Sequence, residues 1–340
     1  MSDFVQRLQQ NRINGRFSLR QKLGEGGGGF VYLGRDHRDD QDVAIKLGYR
    51  YDNSLVKDEV GYYESFQGLP GFPKVYWSGQ KDDFDIIVLE LLGPSLEDVF
   101  TYCGHQLSLK TTVMLADQLV ARLEAVHSKG LLHRDVKPSN FLLGMGENGN
   151  TVYITDFGIS MDYVADLTKE SEQSLSTRPR VVGTTRFASV KAHAGRGIFQ
   201  MLDCWPILIR VVVQSPKDDL ESLGYVLIYF LRGILPWQGL KAHNVEEKDC
   251  LVREKKETTS VEDLCSGLPP EFAEYMTTVK SLGLGSRPPY KRLRKLFRDV
   301  AGHEGIDYDN VFDWTERLYL SQHRSGQRAN RYRQEPFIHR

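Results

Sequence analysis

The chain has 340 residues, with 44 Lys and Arg against 45 Asp and Glu and a net charge of −1. That length can bury a core as one large unit or as two lobes flanking a cleft, and the near neutrality argues against a general nucleic-acid binder, whose footprint is a strong basic excess. Cys103, Cys204, Cys250 and Cys265 form no C-x-x-C pair for zinc or redox chemistry, so reduced thiols and an intracellular protein are expected, with cytoplasm and nucleus both open. No charged-then-apolar leader opens the sequence, no lipidation signal is visible, and the longest apolar run, Cys204–Val213, is too short to span a bilayer. A membrane anchor is therefore not expected.

Residues 1–16 are polar with scattered apolar positions and read as an arm or short helix. From Phe17 the pattern becomes short alternating strands, FSLRQKL, FVYLGR and DVAIKL. The first two flank a glycine run, Gly24 to Gly29, which by itself reads either as a flexible turn or as a loop whose backbone N–H groups approach phosphates unhindered by Cβ atoms. The next strand carries Val43-Ala44-Ile45-Lys46. A lysine within an apolar run needs an anionic partner, and the phosphates supply one.

A helix follows over 54–67, with Glu59 beside its apolar face. Alone it reads as a solvated glutamate; next to a lysine that needs a fixed geometry it reads as that lysine's ion-pair partner. The apolar strand Phe84–Leu92 runs into Gly93-Pro94, where backbone groups of Glu90 and Leu92 can hydrogen-bond an adenine. Helical spacing then predicts a short helix at 95–101 and a long one at 108–129.

The chemistry concentrates in His133-Arg134-Asp135-Val136-Lys137-Pro138-Ser139-Asn140 and Asp156-Phe157-Gly158. Asp135 is placed to orient a hydroxyl and accept its proton, Lys137 to neutralise a transferring γ-phosphate, and Asn140 and Asp156 to offer magnesium the hard oxygens it prefers. Between them FLL and VYIT flank a Gly/Asn turn and predict a hairpin that fixes Asn140 relative to Asp156. Further helices are expected at 219–231, 260–264, 270–281 and 290–301, with Asp219 tying the catalytic loop down.

Together G-x-G-x-x-G-x-V (Gly24, Gly26, Gly29, Val31), V-A-I-K (Ala44, Lys46), H-R-D-V-K-P-S-N and D-F-G resemble the eukaryotic protein kinases from Phe17 to Leu318. ELLGPSLED from Glu90, VHSK from Val126, GTTRFAS from Gly183, DDLESLGY from Asp218, LPWQGLK from Leu235 and YDNVFDW from Tyr308 resemble the casein kinase 1 family in particular, and Ala188-Ser189-Val190 replaces the usual A-P-E. The resemblance implies an α+β bilobal fold, with an antiparallel-sheet N-lobe at 17–92 and a mainly helical C-lobe at 93–318. It also implies a monomer that uses ATP and Mg²⁺ to phosphorylate serine or threonine in acidic or already phosphorylated proteins, with an anion pocket at Arg186, Gly239 and Lys248. The competing class is a pseudokinase scaffold that keeps the fold and signals by binding.

Two departures weaken parts of that inheritance. Val245-Glu246-Glu247 stands where the family has a basic cluster, leaving Lys248 and reducing the expected preference for phosphorylated substrates and the case for nuclear import. Gly28 replaces an aromatic at the tip of the glycine loop, which loosens the shield over the γ-phosphate. The apolar stretch 198–213 interrupts the family spacing and reads as translated intron in preference to a true insertion that packs on the second lobe or forms a partner site. Residues 319–340 are arginine-rich and are expected to form a disordered tail.

Overall fold

The computed structural model describes residues 8, 11–26, 29–50, 55–163, 185–193 and 214–324. Gly28, the stretch 198–213 and residues 325–340 lie outside them, as do the expectations attached to those positions. The fold is α+β, as the sequence implies. It divides into two compact units, one formed by the described residues of Met1–Leu96 and Asn140–Gly158, the other by those of Glu97–Ser139 and Ile159–Ala329.

The first unit is built on an antiparallel sheet of β1 (Phe17–Gly26), β2 (Gly29–Asp36), β3 (Gln41–Tyr49), β4 (Val75–Lys81) and β5 (Phe84–Glu90), in the order β1-β2-β3-β5-β4. Strand period decides its two faces. Phe30, Tyr32, Val43, Ile45, Leu47, Ile86 and Val88 point into one buried cluster, joined by Ile13 and Leu8 from the N-terminal arm. The intervening residues fill the other face, where register sets Val31 opposite Lys46, Ala44 opposite Leu89 and Lys46 opposite Ile87. Helix α1 (Leu55–Ser65) packs against β3, β4 and β5.

The second unit begins with α2 (Leu96–Tyr102) and α3 (Leu109–Ser128), whose start is capped by the Ser108 hydroxyl accepting the Thr111 N–H at 3.1 Å. The strand β6 (Leu131–Leu132) follows; β7 (Phe141–Leu143) and β8 (Val152–Ile154) pair as the expected hairpin in the first unit, and β9 (Met161–Asp162) returns to β6. Then come α4 (Pro216–Arg232), α5 (Val245–Thr258), α6 (Val261–Cys265), α7 (Pro270–Ser281), α8 (Tyr290–His303) and α9 (Asp313–Arg324). Helix α3 packs on α4 and α8, and α7 on α4, α6 and α8, so α3 and α4 form the buried centre. Among the described residues no helix is long and apolar enough to cross a membrane.

Two departures from the expected elements have physical reasons. Helix α5 has almost no apolar stripe, since only Val252 and Lys256 are buried. It is stabilised at its ends: Asn244 accepts the Glu247 N–H at 2.7 Å, Glu246 and Glu247 face the positive N-terminus, and Lys255 and Lys256 lie in the last turn. The expected tail from 319 is corrected over its first residues. Helix α9 continues to Arg324 because Glu316, Arg317, Leu318, Leu320 and Gln322 favour helix and no glycine or proline interrupts them.

Leu123 on α3 is fully buried at this centre. Leu123→Ala should destabilise the protein by about 2–5 kcal/mol, seen as a lower urea midpoint with an unchanged denaturant slope. A midpoint equal to that of the parent protein would show that α3 is not central.

Candidate active site

The first unit carries the lysine site. Lys46 on β3 is 8 % exposed and Glu59 on α1 is 0 % exposed. The Lys46 ammonium donates to Glu59 Oε2 at 2.6 Å and to Asp156 Oδ1 at 2.8 Å. Burial alone would lower the lysine's pKa, but the charges of Glu59 and Asp156 outweigh it and hold the ammonium above its ordinary range. The expected ion pair is therefore present, and Asp156 joins it.

Asp156 has φ +66°, a left-handed conformation that costs a non-glycine residue energy. Two neighbours from α1 fix it. The Tyr63 hydroxyl accepts the Asp156 N–H at 3.0 Å, and Glu59 Oε1 accepts the Phe157 N–H at 3.2 Å. Tyr63 is fully buried, which pushes its phenol well above the ordinary range and keeps it protonated. Phe157 sits in an aromatic box, edge-on to Tyr63 at 5.1 Å and stacked with Phe66 at 5.3 Å and Phe72 at 6.4 Å. Nothing in the motif spacing identifies Tyr63, Phe66 or Phe72; aromatic character and helical phase mark Tyr63 and Phe66 as candidates for burial, and Phe72, beyond the helix, has its aromatic character alone.

The hairpin ties Asn140 to this turn. The Asn140 carbonyl accepts the Thr155 N–H at 2.9 Å and the Thr155 hydroxyl at 3.1 Å, immediately before Asp156. Asn140 is buried, whereas the Asp156 carboxylate is 40 % exposed. An amide oxygen and an accessible carboxylate fit magnesium, which takes few protein ligands and completes its shell with water and phosphate. No cluster of three His, Cys, Asp or Glu side chains suited to a metal occurs among the described residues.

The glycine positions divide. A Cβ on Gly24 or Gly26 would meet no atom within 4 Å, so the protein's own packing does not demand glycine there, and an approaching phosphate would account for it. Gly29 differs: with φ +115° and a would-be Cβ at 2.1 Å from the Leu47 carbonyl oxygen, it is required by the sheet itself. Val31 and Ala44 are half-buried on the Lys46 face. At the end of β5 the Glu90 N–H donates to the Lys74 carbonyl at 2.8 Å, so of its backbone groups Glu90 can offer a ligand only its carbonyl. Leu92 is half-buried, and Gly93 beside it donates to the Leu143 carbonyl at 2.8 Å.

The second unit carries the other carboxylate. Asp135 is buried and accepts a hydrogen bond from the Lys137 ammonium. Two residues earlier, His133 is fully buried, and Arg134 between them has φ +69°. Asp219 at the start of α4 holds this stretch, accepting the His133 N–H and the Arg134 N–H, each at 2.8 Å, while the His127 Nε2–H donates to it at 2.8 Å. Burial would raise the Asp219 carboxyl, but the His127 hydrogen bond and charge, with the bond from the His133 amide, keep it below the usual range. The tethering role expected of Asp219 is what its hydrogen bonds perform. The 3₁₀ turn Pro138–Asn140 carries the chain from this loop into the hairpin.

Arg186 lies against Phe187 and Tyr229, donates to the Tyr229 hydroxyl at 3.3 Å and approaches Glu97 at 3.8 Å. Gly239 occupies a left-handed turn position (φ +73°), and Lys248 is exposed on the first turn of α5. Asp249, the next residue, accepts the Thr185 hydroxyl at 3.1 Å, which brings the start of α5 beside the Arg186 segment. Gly239 follows two residues after Trp237, whose indole N–H donates to the Arg186 carbonyl at 2.8 Å.

A family model described as protein kinase domain matches residues 17–282, well over half of the sequence. Its first residue is the first residue of β1, and its span includes the Lys46–Glu59–Asp156 cluster, the Asp135 loop and the Asn140 hairpin. The chain belongs to the protein kinase family.

Proposed function

We propose that the protein is a serine/threonine kinase of the casein kinase 1 type, transferring the γ-phosphoryl group of ATP to hydroxyls in acidic or already phosphorylated protein segments. The observation that carries the enzymatic reading is the simultaneous contact of the Lys46 ammonium with Glu59 and Asp156. It fixes a buried cation of the sheet unit beside the carboxylate suited to magnesium, as phosphoryl transfer requires.

Each group then has a defined task. Lys46, aimed by Glu59, binds the non-transferring phosphates. The Gly24 and Gly26 backbone approaches them without side-chain obstruction. Asn140 and Asp156 would hold magnesium, which when bound would neutralise charge on the phosphate oxygens. Asp135 accepts the proton of the attacking hydroxyl as the new oxygen–phosphorus bond forms and the bond to the bridging oxygen of the diphosphate breaks; Lys137 beside it meets the negative charge of the γ-phosphate.

The finer family reading is supported by the way its separate motifs meet. Ser189 of GTTRFAS donates to Asp218 of DDLESLGY at 2.6 Å, Trp237 of LPWQGLK donates to the Arg186 carbonyl at 2.8 Å, and Arg186 approaches Glu97 of ELLGPSLED at 3.8 Å. A guanidinium and an exposed lysine near one peptide segment suit an acidic substrate. Glu246 and Glu247 beside Lys248 moderate that attraction.

Asp156→Ala and Asp135→Asn, each assayed with magnesium ATP and casein, should lose about 10²- to 10⁴-fold in rate in a protein that still melts cooperatively. Full activity in either variant would remove that residue from the chemistry, and a parent protein that binds ATP but transfers no phosphate would support the scaffold reading. Arg186→Ala should raise KM for an acidic peptide and leave KM for ATP unchanged; equal changes in both would place Arg186 outside substrate recognition.

A further inference from the structure

Lys256 is a lysine 1 % exposed at the end of α5, in a helix otherwise largely solvated. An ammonium taken out of water needs strong partners to remain charged. They include the carbonyls of Thr185 at 2.9 Å and Ala188 at 2.6 Å and the faces of Tyr225 and Trp237 at 5.2 and 5.0 Å from its nitrogen. The two carbonyls bracket Arg186 in the chain. The carbonyl of Arg186 itself is held by the Trp237 indole N–H at 2.8 Å, and His193 Nε2 donates to the Thr185 carbonyl at 2.9 Å.

The same segment is fixed from α4. Ser189 donates to Asp218 at 2.6 Å, and Glu221 accepts the Val190 N–H at 3.3 Å and the Tyr225 hydroxyl at 2.6 Å. These carboxylates hold the donors of the segment, whereas Lys256 and Trp237 hold its acceptors. Carbonyls left unpaired in a buried setting would rearrange toward water, so the cation and the indole decide where the backbone on either side of Arg186 lies.

We propose that Lys256 is a positioning residue for protein-substrate recognition: it fixes the Thr185–Ala188 backbone so that the Arg186 guanidinium is presented in one place to an acidic substrate, with Trp237 as the second support. The inference rests on the kinase reading for its consequence in catalysis. Its structural core, that Lys256 orders residues 185–190, stands apart from it. Lys256 touches neither the lysine site nor the Asp135 loop in any contact described above, so its effect should fall on peptide binding and not on ATP.

The test combines steady-state kinetics on an acidic peptide with hydrogen exchange of the whole protein. Lys256→Met fills the site with an apolar chain of similar length, and Trp237→Phe keeps a ring while removing the N–H to Arg186. Each should raise peptide KM on the order of tenfold with KM for ATP within twofold, and should speed exchange in 185–193 while leaving β3 and α1 protected. Lys256→Arg should restore a substantial part of the peptide KM. Unchanged peptide KM with unchanged exchange in 185–193 would overturn the inference, as would a parallel loss in ATP binding or in β3 protection, which marks a general folding role. Should Lys256→Met fail to fold, Trp237→Phe and Lys256→Arg decide by the same two readouts. A parent protein without activity would defeat the kinase reading, and the exchange data would still decide whether Lys256 orders the segment.

Discussion

Most of the sheet unit's functional geometry depends on one buried ion pair. Lys46 is aimed at one half of the Glu59 carboxylate, and the other half accepts the backbone N–H of Phe157. Neither charge is tolerable alone in that setting: removing one partner of a buried pair costs about 3–5 kcal/mol because the survivor is left uncompensated. The pair therefore fixes α1 against β3. It also couples that packing to the strained turn at Asp156, since Tyr63, one helical turn beyond Glu59, holds the Asp156 N–H. The aromatic box around Phe157 completes the arrangement with apolar contact, so that sheet, helix and the Asp156 turn are set by a few side chains of α1.

The helical unit solves a similar problem by other means. Arg134 and Asp156 are both non-glycine residues at positive φ, a conformation that costs on the order of 1–3 kcal/mol and persists where the surroundings over-determine it. For Arg134 the restraint is Asp219, whose two oxygens take consecutive backbone N–H groups immediately before Asp135. Adjacent carboxylates at the start of α4 divide their work. Asp218 accepts the Ser215 N–H at its own helix start and the Ser189 hydroxyl, whereas Asp219 takes the N–H groups of His133 and Arg134. One helix terminus thereby orders both the Asp135 loop and the segment that carries Arg186.

Much of this was legible in the sequence, for definite reasons. Strand alternation from Phe17 and the spacing of Val43-Ala44-Ile45-Lys46 record which residues share a sheet face, and period 2 survives in the registers. Asp135, Asn140 and Asp156 could be singled out because they lie in short motifs of fixed spacing. The Asn140–Asp156 hairpin followed from two apolar runs around a Gly/Asn turn, and Pro270–Ser281 from its helical period. Other features left no such trace. Helix α5 is stabilised by caps and end charges and not by an apolar stripe; Lys256 looks like any lysine in a charged run; Tyr63 matters for a hydroxyl whose partner is 93 residues away. Gly29 belongs to the glycine motif, yet the clash that a Cβ there would make with the Leu47 carbonyl gives it a reason within the sheet, which only the paired strands reveal.

The central claim is that the Glu59 carboxylate sets Lys46 and the Asp156 turn for phosphoryl transfer. The most direct measurement is kcat/KM for ATP in Glu59→Gln, which keeps the side chain's size and hydrogen-bonding capacity but removes its charge. The account predicts a fall of at least about 10²-fold, because a small displacement of a positioned group is enough to cost that much, in a protein that still melts cooperatively. A value within twofold of the parent protein would contradict it.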